Sequence, residues 1–181
     1  MVRPGHNAEE LATERLSLRR PTPADLDAIF AITANPQSTM HNPSDAITTR
    51  REAKELFRRW DEQWQRYRFG YWTVRPLGQA AVLGFCGTKV MQFRAESVLN
   101  LFYRFDPSVW GHGIASEAAR AAVTWAGDHV PAYTTIARVR PANRASQRVA
   151  LNAGLIRAEH LDGDGFDGLD WIYTSPRRPH R

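Results

Sequence analysis

At 181 residues, with 43% apolar and 24% charged side chains, the chain falls within the range of one globular domain, and two full domains are not expected. Folding at this length buries roughly 70% of the surface the unfolded chain exposes, and a lone Cys86 excludes an internal disulfide or a multi-cysteine zinc site. The net charge of +5 is spread along the chain, which favours an anionic ligand over a concentrated nucleic-acid stripe.

No run reaches the ~20 apolar residues that span a bilayer, and the first 16 residues lack the apolar centre of a secretory signal. The expectation is a cytoplasmic protein with neither a membrane nor a nucleic-acid partner. The denser basic stretches, 50–68 and the terminal RRPHR, read as a solvated helix face and a tail.

In chain order, Leu16 and Leu18 alternate as a strand that Pro21 stops. A helix is predicted over 25–33, with Leu26, Ile29, Phe30 and Ile32 as its apolar stripe. Next comes the clearest helix, in which Ala53, Leu56, Phe57, Trp60, Trp64 and Tyr67 recur at three- and four-residue spacing behind a Thr49/Glu52 capping box. Strands at 71–75 and 82–90 flank a 76–78 turn, and another strand covers 98–105. An alanine-rich helix runs from Ile114 to about Gly127, followed by a strand at 134–140 and a helix at 146–153 ended by Gly154. Strands at 155–161 and 169–174 complete the chain.

Strand, helix and strand over 98–140 make a right-handed parallel crossover, while shorter links join the rest. The predicted fold class is therefore α/β (α+β): one domain over 1–181 with a mostly antiparallel sheet around one parallel pair. Residues 1–12 and 176–181 are expected to be flexible tails.

The turn Trp110-Gly111-His112-Gly113-Ile114-Ala115-Ser116 precedes the alanine-rich helix, where unpaired backbone N–H groups and the helix dipole favour phosphate. Gly111 and Gly113 permit unusual dihedrals and let a diphosphate approach the backbone. A dinucleotide fingerprint would need a third glycine at Ser116, and its turn would follow the strand directly. The chain has no Gly-Lys-Ser/Thr loop and no GxSxG elbow. A phosphate-bearing ligand at a helix start remains, although two glycines before a helix also occur in ordinary loops.

The segment 101–118 resembles the acetyl-coenzyme A motif of the GNAT superfamily of N-acetyltransferases, and especially the RimJ/RimL-like branch, written W-G-[basic]-G-x-A-[ST]-E-A. Every position from Trp110 to Ala118 fits if His112 counts as basic. The stretch 140–155 is similar to the branch's N-x-x-S helix ending in glycine and an apolar residue, and further matches run in order from 13 to 175. The resemblance implies a GNAT fold whose parallel strands splay to admit pantetheine, with acetyl-CoA as cosubstrate.

It also implies site residues. Trp110 to Ser116 would hold the diphosphate, Tyr103, Arg104 and Phe105 would offer backbone groups to pantetheine and the oxyanion, and Asn143 would bond pantetheine or cap its helix. Many relatives protonate the leaving thiolate with a tyrosine where this chain has Ala150; Ser146 is the replacement and catalytic candidate because it resembles the serine used in the RimJ/RimL branch, with helix capping as its alternative. Branch members often carry a glutamate where Asn100 stands, so Glu96 or a water chain would serve as base, or positioning would suffice without one. Glu117 is expected to stabilise the first helical turn, His112 to lie on the phosphate side and His41 in a loop.

Asp162, Asp164, Asp167 and Asp170 lack the glycine and glutamate offsets of a calcium loop and read as a polar turn, and no metal site is expected. Trp60, Trp64 and Trp72 are core candidates that could also wall an acceptor pocket. The expected function is N-acetyl transfer to a primary amine, either a protein N-terminus or a small molecule. A catalytically decayed coenzyme A sensor and a basic nucleic-acid adaptor are the rivals, and a homodimer is compatible with the resemblance.

Overall fold

Alternation of apolar residues sets the strands and three- and four-residue spacing sets the helices, so the elements form where the pattern places them. In the computed structural model, which describes residues 8–176, the chain opens with β1 (Glu10–Ala12), β2 (Leu16–Arg19), α1 (Leu26–Ala34) and the single turn α2 (Pro36–Thr39). It continues through α3 (Arg50–Tyr67), β3 (Tyr71–Pro76), β4 (Gly84–Phe93), β5 (Glu96–Phe105) and α4 (Ile114–His129). The last third comprises β6 (Thr135–Val139), α5 (Arg144–Asn152), β7 (Ile156–Arg157), β8 (Gly163–Gly165) and β9 (Gly168–Thr174).

The strands make one twisted path in the order β1-β2-β3-β4-β5-β6-β9-β7, with β8 also paired to β9. Every pairing is antiparallel except β5 with β6, which are parallel and share only Leu99↔Thr135 and Asn100↔Ile136. By contrast, β4 and β5 stay in register from Gly84↔Phe105 to Phe93↔Glu96. Beyond Asn100 and Ile136, β5 keeps its partner on one side and loses it on the other.

Helices cover both faces. Ala118, Ala119, Ala122 and Trp125 of α4 and Ala150 of α5 pack with Leu99, Leu101 and Phe105 on one face. On the other, Ile29 and Ile32 of α1 and Ala53 and Trp60 of α3 meet Tyr71 and Phe85, with Phe102 against them. Trp64 crosses to the first cluster, edge-on to Trp72 at 5.9 Å, and Trp72 meets Trp125 at 5.7 Å. Their indoles donate to the carbonyls of Tyr71 and Ala8, which satisfies the polar edge of two fully buried rings. Truncating either to alanine costs about 3–5 kcal/mol.

The capping box predicted for α3 forms, since Thr49 Oγ1 accepts from Glu52 N–H and the Glu52 carboxylate accepts from the N–H of Thr48 and Thr49. Those bonds, the one from Thr48 N–H foremost, hold the Glu52 pKa down at about 2. Arg68 then turns the chain out of α3 in a left-handed conformation, φ 66°.

Several expectations need correction. Glu10–Ala12 is an edge strand paired with β2, not part of a tail, while 1–7 and 177–181 lie outside the described residues. The strand expected over 155–161 reduces to Ile156–Arg157 and a 3-10 turn, because the outer edge of β9 is shared between β7 and β8. Asp162 fixes that break by accepting from Ile172 N–H and the Arg157 guanidinium. The β3–β4 link is longer than the 76–78 turn. Finally, α5 begins at Arg144 rather than Ser146, since Asn143 caps it by accepting from Ser146 N–H at 3.0 Å.

Candidate active site

The parting of β5 and β6 opens a cavity of about 1120 Å³ that passes through the sheet and is lined from both faces. Side-chain and backbone directions along β5 alternate, and Leu99 N–H bonds Thr134 on the β6 side. The same parity turns the backbone groups of Tyr103 and Phe105 toward the gap, whereas Asp106 N–H bonds Leu83 on the β4 side. Arg104 therefore differs from its neighbours: its backbone faces β4, and its side chain lies on the α3 face in an ion pair with Asp45 at 2.7 Å. It lines the cavity, but not as a backbone donor to the gap.

On the α4 side, Gly111 and Gly113 both adopt positive φ, 80° and 76°, conformations that a side chain would strain. Gly113 accepts Glu117 N–H through its carbonyl and starts α4, so the N–H groups of Ile114, Ala115 and Ser116 have no partner within their own helix. Gly111, Gly113, Ile114, Ala115 and Ser116 all line the cavity. Trp110 lines it too, and its indole N–H donates to Phe105 C=O at 3.1 Å, occupying one of the backbone groups the gap would otherwise leave open.

His112 is exposed and is not among the lining residues; its carbonyl accepts from Arg15 instead. Glu117 does more than meet the helix dipole, because it accepts from Thr13 Oγ1, Arg15 N–H and Arg15 Nε and so pins the β1–β2 corner to the start of α4. Burial pushes its carboxyl upward, yet those hydrogen bonds outweigh burial and the net pKa is lowered.

Across the gap, the Asn143 carbonyl oxygen is committed to capping α5, which leaves only its NH2 for any ligand. Ser146 stands one turn on, and its Oγ lies 2.6 Å from the Tyr103 phenol oxygen. That phenol also donates to Ser146 C=O at 2.9 Å. Burial pushes the phenol pKa well above its ordinary value, with the Ser146 hydrogen bond opposing, so the proton is held throughout the neutral range. Ala150 is fully buried. A tyrosine side chain thus reaches this part of the cavity from β5, not from α5, and sequence reading had given Tyr103 a backbone role only.

The α3 side is built differently. Trp60, Tyr71 and Phe102 form an aromatic wall, with Tyr71 and Phe102 stacked at 4.6 Å. Trp64 and Trp72 are core and do not line the cavity. Asn100 lines it with a buried side-chain oxygen that has no hydrogen-bond partner among the described residues, and Lys89 sits directly opposite in register. Glu96, at the far turn of β5, is exposed and outside the cavity, so it is not placed to act as base.

The aspartates of the β8–β9 region also separate. Asp162 pairs with Arg157, and Asp167 accepts from Ser44 N–H and Oγ across the cavity mouth. Asp170 is buried between Arg138 and Arg140 at 2.6 and 2.8 Å. The glycines among them carry a signal that went unread, since a Cβ on Gly165 would strike Asp170 and Arg138, and one on Gly168 would meet Arg140. Glycine lets this hairpin settle onto the guanidiniums. No group of three or more potential metal ligands occurs among the described residues.

Residues 15–156 match the model of the acetyltransferase (GNAT) domain. The Bacillus subtilis (strain 168) protein YkkB is 28% identical over 147 residues, covering 81% of this chain and 84% of YkkB. Among solved structures, an acetyltransferase from Agrobacterium tumefaciens strain C58 aligns with a TM-score of 0.78 at 24% identity, over 92% of this chain and 94% of that one. RimL, a ribosomal L7/L12 alpha-N-protein acetyltransferase in complex with coenzyme A, aligns with a TM-score of 0.75 at 15% identity, over 92% and 97%.

Proposed function

Because the chain belongs to the GNAT acetyltransferase family, we propose that it transfers the acetyl group of acetyl-CoA to a primary amine by direct attack in a ternary complex. The observation that carries this reading is the gap where β5 and β6 part after two register pairs, with the glycine-flanked start of α4 at its edge. A chain of amides fits there because it can bond the backbone groups of Tyr103 that β6 does not reach, as an added strand would. A diphosphate suits the first-turn N–H groups of α4, where two glycines leave open space around Gly111. We read all of this as the work of one domain in the cytoplasm; among the described residues no helix is long and apolar enough to cross a membrane.

Bound in this gap, acetyl-CoA supplies an activated thioester. The residues then have three tasks. Tyr103 N–H faces the gap and is the donor proposed for the developing oxyanion. The Tyr103 phenol, held by Ser146, supplies the proton that the departing thiolate needs. Even with its pKa raised by burial, a phenol remains a better donor to a thiolate than an aliphatic hydroxyl, which is about as weak an acid as water at ~15.7. Ser146 is accordingly the positioning partner and Tyr103 the acid. The proton lost by the amine leaves to solvent, since Asn100 cannot take it and no base is assigned.

Isothermal titration tests the reading. The folded protein should bind acetyl-CoA in the micromolar range, and Gly113→Glu should weaken binding roughly 100-fold by straining a positive-φ position and placing a charge at the helix start. No binding by the wild-type protein would refute it.

A further inference from the structure

Charges on the α3 side of the cavity do not cancel locally. Asp170 is 6% exposed and spends one carboxylate oxygen on Arg138 Nε and Nη2 and the other on Arg140 Nη1. Two guanidiniums therefore share one buried carboxylate, a triad with an excess of one positive charge. Arg140 is nearly enclosed, but Arg138 keeps 27% of its side chain exposed and lines the cavity.

Lys89 adds a second excess charge beside it. No carboxylate lies within ion-pair distance of its amine among the described residues, and Arg59, Arg138 and Asp45 are the charges it feels. Although Lys89 is solvent-accessible, crowding of protein atoms around the amine lowers its pKa; Asp45 opposes this and the two arginines add to it.

The remaining acids do not supply the missing charge. Asp45 is paired with Arg104, Asp167 is held by Ser44, and Glu52 is committed to the α3 cap. Glu55 is exposed on α3, one turn before Arg59. Positive charge thus accumulates at the inner end, around Asn100 and the gap, and negative charge at the rim.

We infer that the amine acceptor carries an anionic group, a carboxylate or phosphate, which seats between Arg138 and Lys89 while its amine faces the gap. A cation with no carboxylate of its own gains most from a ligand anion, and charge-assisted hydrogen bonds from Arg138 and Lys89 together would hold it. The same field disfavours the protonated form of a nearby amine, which helps a site without a base. Polycationic acceptors are poor substrates by the same reasoning. This inference rests on the acetyltransferase reading and narrows it to a substrate class.

Matched acceptors test it. Phenylalanine is compared with phenylalaninamide, and phosphoethanolamine with ethanolamine, the two pairs separating carboxylate from phosphate; spermidine stands for polycations. The amide's amine is the more readily neutral of its pair, so chemistry alone would favour it. The inference expects an anionic member to have kcat/KM at least tenfold above its neutral match, and Arg138→Met or Lys89→Met to abolish that preference without changing acetyl-CoA affinity.

Titration of the product N-acetylphenylalanine against its amide, with no acetyl donor present, should give the same ranking in Kd and stays informative if one variant folds poorly. Equal turnover within both pairs, turnover of no anionic member, or spermidine as the best acceptor would overturn the inference. Absence of acetyl-CoA binding would instead remove the functional reading beneath it.

Discussion

The two halves of the cavity are made of different material. On the α4 side, the groups proposed to bind are backbone amides: Tyr103 at the gap and the first turn of α4 behind two positive-φ glycines. On the α3 side they are side chains from separate segments, including Asp45, Trp60, Lys89, Asn100, Arg138 and Asp170. A backbone site can be used with one ligand in every relative while its side chains drift. A side-chain site can change its ligand one residue at a time, which suits one acetyl donor and many acceptors.

Tyr103→Phe should sharpen this contrast most. It removes only a phenol oxygen, so acetyl-CoA affinity should hold within a few-fold while kcat falls by roughly 10²–10⁴, the usual worth of a positioned acid. Ser146→Ala should cost less, since the phenol remains. Single-turnover kinetics would check both, and a larger loss for Ser146→Ala than for Tyr103→Phe would assign the proton to Ser146.

Asp170→Asn tests the other half. The buried Arg140 and the half-buried Arg138 lose their shared carboxylate, which should destabilise the fold by about 3–5 kcal/mol in chemical denaturation. The acceptor KM should rise, and calorimetry should find the acetyl-CoA Kd unchanged. Movement of both constants together would mean that the halves are coupled.

Asn143→Ala should give the reverse pattern on a smaller scale. Loss of the α5 cap costs about 1 kcal/mol, and it should weaken acetyl-CoA binding while leaving the acceptor KM alone. The smallest effect concerns the rim. The Glu52 carboxyl is depressed from 4.5 to about 2, so its contribution to stability is complete above 4.5 and is lost as pH falls through about 2. Glu52→Gln should flatten that part of the acid limb in thermal melts, with little change at neutral pH.

The same contrast explains what could be read from the sequence. The Trp110–Ala118 turn was legible because glycine spacing before a helix reports a backbone conformation directly, and the Thr49/Glu52 box was legible for the same reason. Asn143 and Ser146 stand out in the sequence as candidates beside the gap, and the structure gives the Asn143 oxygen to the α5 cap. The Tyr103 phenol was missed because its partner is 43 residues away, and no local pattern records a contact made by folding. Asp170 looked like one member of a polar turn, while its burial depends on Arg138 and Arg140 reaching across from β6. The glycines at 165 and 168 were the available sign that a hairpin approaches something closely.

Amide hydrogen exchange with and without acetyl-CoA tests the central claim most directly. Slowed exchange at Tyr103, Ile114, Ala115 and Ser116, with Lys89 and Asn100 unaffected, is the predicted result. Protection confined to the α3 side, or none at Tyr103 and the α4 start under saturating acetyl-CoA, would contradict it.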